Sequence, residues 1–98
     1  MSEPTSGFVS LEKIKTKLDI AAAILRELET VPKGTLIAEQ ELCQRAAGQD
    51  RNRFRRAVEN GEDTFRTRRV RLKLDEGEAR WFWGHAEDIA EALKIRDL

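Results

Sequence analysis

Between positions 51 and 56 this chain places Arg51, Asn52, Arg53, Arg55 and Arg56 around a single apolar residue, Phe54. A guanidinium offers paired N–H donors that match phosphate oxygens or the edge of guanine, and an asparagine amide can pair twice with adenine. More of the same chemistry follows at Arg66, Arg68, Arg69, Arg71 and Lys73. From Arg45 to Lys73 there are ten basic residues against four acidic ones, a charge of +6. The 98-residue chain is formally neutral, so the flanks carry −2 before this stretch and −4 after it. Charge sorted along a short chain implies one positive face and a polyanionic partner.

Other chemistries find little support. Cys43 and His85 are the only residues of their types, so an internal disulfide is excluded and a tetrahedral zinc site cannot be built from this chain alone. Cys43 falls beside Leu42 and Ala46 on a helical face, where a buried inert thiol is expected. There is no nucleophile–base pair and no glycine-rich phosphate loop, so neither an enzyme nor a cofactor is expected. The composition, 40% hydrophobic and 37% charged, suits a single folded domain with a modest core. No apolar run approaches the roughly 20 residues of a membrane span. The first residues, MSEPTSGFVS, do not read as a signal peptide, and a cytoplasmic location is the expectation.

The elements that must position the arginines follow from periodicity. Residues 1–9 read as a flexible leader and Ser10 as an N-cap. Leu11, Ile14, Leu18, Ala21, Leu25 and Leu28 alternate spacings of three and four, which predicts a helix over 11–30. Ile20, Ala22, Ala23 and Ile24 widen its apolar stripe, so a homodimer through Leu11, Ile14, Leu18, Leu25 and Leu28 is a second use of that helix. Pro32 and Gly34 end it. Thr35–Ile37 suits one brief strand, and 38–47 a second helix stopped by Gly48. Asp50 caps a third helix, Arg51–Asn60, with Phe54, Ala57 and Val58 inward and Asn60-Gly61 as its stop.

Beyond Phe65 the period changes to two. Val70, Leu72 and Leu74 alternate with Arg69, Arg71 and Lys73, and Ala79–Trp83 alternates again across Asp75–Glu78. A tight Glu76-Gly77 turn would pair Leu74 with Ala79, Leu72 with Trp81 and Val70 with Trp83. That register gathers the large apolar residues on one side, leaving Phe82 among the arginines on the other. A last helix is expected over 86–97, packing Ile89, Leu93, Ala86 and Ala90, with His85 at its start.

The order helix, short strand, helix, turn, helix, hairpin, helix resembles the winged helix-turn-helix superfamily. Gly48 stands in the inter-helix turn, and VRLKLDEGEARWFW is similar to a wing. The fold class expected is therefore mainly α with a small β-hairpin (α+β). Its parts are an N-terminal helix (10–31), helix-turn-helix (38–61), wing (68–84) and C-terminal helix (85–98), all one domain over 10–98. The resemblance implies a helix docked in the major groove of double-stranded DNA. With Phe54 inward, Asn52, Arg55 and Arg56 are the base-reading candidates, each bidentate contact being worth roughly 1–3 kcal/mol of discrimination. Arg51, Arg53, Arg66, Arg68, Arg69, Arg71 and Lys73 are candidates for phosphate. The expected role is a small transcriptional regulator or a phage or mobile-element DNA-handling factor. Two alternatives stay open. The acidic hairpin tip of Asp75, Glu76 and Glu78 would be repelled by phosphate, which favours a protein partner. Phe82 beside arginine side chains would suit an unpaired base of RNA or single-stranded DNA.

Overall fold

The computed structural model describes Phe8 and residues 10–97, with the side chains of 12–19 excepted. The leader expected over 1–9 thus lies almost wholly outside the described residues, as do the side chains of Ile14 and Leu18. The chain is mostly helical, with a small three-stranded antiparallel sheet. Helix α1 spans Leu11–Thr30, strand β1 Ile37–Ala38, α2 Glu39–Ala47 and α3 Arg51–Asn60. A single turn, α4 (Glu62–Phe65), runs through a 3₁₀ turn (Arg66–Arg68) into β2 (Arg69–Leu72). Strand β3 (Arg80–Trp83) and helix α5 (Ala86–Arg96) complete the order. Sequence reading takes 62–65 for a plain connection. Its helical turn instead drives Phe65 into the core, where it is 1% exposed.

Local chemistry explains the helix ends. Asp50 Oδ1 accepts from the Arg53 amide at 3.1 Å, the N-cap bond that starts α3. Gly48 closes α2 with φ +63 and ψ −129, a conformation open essentially to glycine alone.

The sheet runs β1-β3-β2, and its pairing corrects the expected hairpin by one residue. Arg69 lies opposite Trp83, Val70 opposite Phe82, Arg71 opposite Trp81 and Leu72 opposite Arg80. The turn is not the tight Glu76-Gly77 pair. Residues 73–79 form a long loop, with the Gly77 amide bonded to Asp75 Oδ1 at 2.8 Å. Paired residues share a face, so Val70 and Phe82 point one way, and Trp81, Trp83, Arg69 and Arg71 the other. Expectation had grouped Val70 and Leu72 with the tryptophans.

Both faces are covered, which is the physical reason for that register. On the tryptophan side, Trp83 is fully buried among Ile24 and Leu28 of α1, Leu42 and Cys43 of α2, and Phe54, Ala57 and Val58 of α3. Phe54 and Phe65 meet its indole edge-on, with ring centroids 6.0 and 5.6 Å away. On the opposite side α5 packs against β2, and Val70 and Ile89 are buried there. A one-sided sheet would favour collecting every apolar residue on one face. Because α5 returns over the sheet, Val70 and Phe82 have an apolar side of their own. Leu74, expected to pair with Ala79, is 72% exposed. In α5 only Ile89 is fully buried; Ala86, Ala90 and Leu93 lie exposed, contrary to the expected packing.

Two long-range bonds tie α5 to the end of α1. The Gly34 amide donates to Asp88 Oδ2 at 2.8 Å. His85 Nε2 lies 2.7 Å from the Val31 carbonyl, which can only accept, so this ring nitrogen carries the proton.

Candidate nucleic-acid interface

Helix α3 is sharply divided. Phe54, Ala57 and Val58 are buried, while Arg51, Asn52, Arg53, Arg55, Arg56 and Glu59 are exposed. At about 100° per residue the exposed residues form two flanks. Arg51, Asn52, Arg55 and Glu59 turn toward the sheet and border a cleft there. Arg53 and Arg56 lie on the far flank. The reading set Asn52, Arg55, Arg56 therefore spans the outer surface of α3, with Arg55 Nη2 donating to Asn52 Oδ1 at 3.3 Å.

Among the described residues Arg51, Arg55, Arg56, Arg66 and Arg71 have no carboxylate within ion-pair distance, and all are exposed. Their charge is not offset by a carboxylate of the described residues. Lys73 is likewise exposed, in the loop beyond β2. Other members of the basic stretch are already engaged. Arg45 pairs with Glu41 at 3.0 Å and reaches Glu27 at 3.9 Å. Arg53 lies 3.6 Å from Asp50, the cap of its own helix. Arg68 is half-buried, its Nε donating to the Gly84 carbonyl at 2.9 Å while the Gly84 amide donates back to the Arg68 carbonyl.

Arg69 departs furthest from the expected phosphate contact. Its guanidinium lies 4.2 Å from the centre of the Trp81 ring and 5.7 Å from that of Trp83, and its Nη1 is 3.9 Å from Glu39 Oε1. The same Glu39 oxygen accepts from the Trp83 indole N–H at 2.9 Å. One carboxylate at the start of α2 thereby holds both a strand β3 indole and a strand β2 guanidinium. Sequence reading misses this cluster. Its signal is the Arg69–Trp81–Trp83 alternation, hidden by a register that set Leu72 rather than Arg71 opposite Trp81.

The cleft between α2, α3 and the sheet has a volume of about 940 Å³. Arg69 and Trp81 form its sheet wall, Arg51 and Arg55 its α3 wall, and Cys43 borders it from α2. Burial pushes the Cys43 thiol above its ordinary pKa, against an opposing pull from the Arg51 charge. Phe82, expected beside arginines, faces the α5 side with Val70 and Ala38. The half-buried aromatic on the arginine side is Trp81.

The surface proposed for pairing two copies is also altered. Leu28 is fully buried in the chain's own core, so it is not offered to a second copy as the heptad spacing implied, while Leu25 is half-buried and packs against that core. Leu11 is exposed. Among the described residues no helix is long and apolar enough to cross a membrane, and no cluster of side chains is suited to hold a metal ion. The chain matches no protein-family model, no curated protein and no solved structure.

Proposed function

We propose that this chain is a winged helix-turn-helix protein that binds double-stranded DNA, with α3 in the major groove. The observation that carries this reading is the two-sided character of α3. Its inner residues anchor it to Trp83, while Arg51, Arg55 and Arg56 stand exposed without an acidic partner among the described residues. The sheet order β1-β3-β2 and the glycine turn at Gly48 support the same assignment. Asn52, Arg55 and Arg56 read base edges. Arg51, Arg66, Arg71 and Lys73 contact phosphates on either side, and Arg53 reaches phosphate once it leaves Asp50. Arg68 and Arg69 act through the sheet they brace rather than by direct contact. The exposed acids Asp75, Glu76 and Glu78 keep the loop tip away from the backbone, so the stem supplies the wing's contribution. Binding and positioning account for every residue in this reading, and no catalytic step is assigned.

The test is titration of a labelled random duplex and a single strand of equal length at several salt concentrations. Four or five phosphate contacts predict a log–log salt slope on duplex of about −3.6 to −4.5. Absence of duplex binding near 10 mM salt, where screening is weakest, would transfer the arginine face to an acidic protein partner.

A further inference from the structure

We infer that the cleft between α3 and the sheet is a site for one unpaired nucleotide, its base against Trp81 and Arg69 and its phosphate on Arg51 and Arg55. This site does not require duplex binding: it shares the exposed Arg51 and Arg55 with that reading, and the Trp81–Arg69 wall is an independent observation. A nucleotide is a planar ring joined to an anion, and the cleft presents one wall for each part. The sheet wall holds the half-buried Trp81 ring with the Arg69 guanidinium stacked 4.2 Å from its centre. The guanidinium covers one face of the indole, and together they make a layered planar wall of the kind on which bases stack irrespective of sequence. The α3 wall holds Arg51 and Arg55, exposed and without a carboxylate partner among the described residues.

Glu39 also lines the cleft, but its Oε1 is occupied by the Trp83 indole N–H and the Arg69 guanidinium. It fixes the stacking wall and partly offsets its charge. Glu59 sits at the α3 edge, where its carboxylate can accept from an exocyclic amino group while disfavouring a second phosphate. The volume of about 940 Å³ accommodates one nucleotide, and lies near the top of the range for small-ligand sites. Two sources supply this chemistry: a free mononucleotide, or an unpaired nucleotide at the end or in a gap of a longer strand.

The protein's own fluorescence reads the site. It contains two tryptophans, of which Trp83 is buried and Trp81 borders the cleft. Adenosine monophosphate, ribose 5-phosphate, a blunt duplex and the same duplex with a one-nucleotide overhang are titrated separately into the full chain at low salt. Saturable quenching by the mononucleotide, with none by ribose 5-phosphate, is the expected result for a free nucleotide. Quenching by the overhang in excess of the blunt duplex identifies a strand as the source. Either supports the site. Trp81→Leu, checked for native circular dichroism, weakens the active probe by about tenfold or more when binding is read by calorimetry. Arg55→Ala weakens it while leaving the tryptophan wall intact. Equal responses to the blunt and overhanging duplexes together with no response to the mononucleotide overturn the inference. Undiminished affinity in Trp81→Leu, or equal quenching by ribose 5-phosphate, does the same.

Discussion

Trp83 donates its indole N–H to Glu39 Oε1 at 2.9 Å, joining the last strand of the sheet to the first turn of α2. This bond carries a polar atom into an otherwise apolar core, and removing the acceptor leaves a donor without compensation. Glu39→Ala should destabilise the fold by roughly 1–3 kcal/mol. Glu39→Gln keeps an acceptor and should lose less. Urea unfolding followed by circular dichroism measures both, and equal losses would mean the charge toward Arg69, not the indole bond, is what matters.

The sheet register makes opposite predictions for two neighbouring apolar residues. Val70 is 2% exposed on the α5 side, so Val70→Ala should cost about 2 kcal/mol. Leu74, in the loop, should tolerate Leu74→Ser within about 0.5 kcal/mol. The register first expected from the sequence would make both costly. Paired unfolding curves decide between the two pairings.

The turn between α2 and α3 depends on the backbone alone at Gly48. A methyl group there would meet no atom within 4 Å, yet φ is +63. Gly48→Ala should therefore cost about 1–3 kcal/mol through strain rather than clash. Thermal unfolding unchanged from the parent would contradict this turn geometry.

If α3 reads duplex DNA, its outer residues and the sheet stem differ in kind. Arg56→Ala should relax sequence preference in a selection from random duplexes. Arg71→Ala should weaken all sequences alike and reduce the salt slope by about one. Equal, sequence-independent losses from both variants would remove α3 from the major groove.

Cys43 should be a slow thiol. Its raised pKa keeps it protonated further into the alkaline range, so alkylation at mildly alkaline pH should run well below the rate of the unfolded chain. The Arg51 charge opposes the shift, and Arg51→Ala should slow the reaction further. The pH dependence of labelling in the native protein measures both effects. A faster Arg51→Ala reaction would show that access, rather than charge, limits the rate.

Much of the architecture is legible in the residues because its causes are local. The α1 heptad spacing, the Asp50 cap and the Phe54, Ala57, Val58 stripe predict two helices, α1 and α3, whose ends agree with the structure to within a residue. Helical hydrogen bonds close within four residues, and caps within three, so neighbours in sequence carry the information. The inward and outward sides of α3 followed from the same rule, and so did the burial of Cys43 and Leu42. The sheet is different. Its alternation survives a one-residue slip, and which slip wins depends on whether each face has something to cover it. Helix α5 supplies the second cover from beyond the hairpin, and tertiary packing thereby sends Phe82 toward α5 and Trp81 toward the arginines. It also commits Arg68 to Gly84 and Arg69 to Trp81 and Glu39, while leaving Arg51, Arg55 and Arg56 exposed. The basic stretch is written in the sequence; its division into bracing and exposed arginines comes from long-range contacts such as Arg68 with Gly84 and Arg69 with Glu39, which no local pattern encodes.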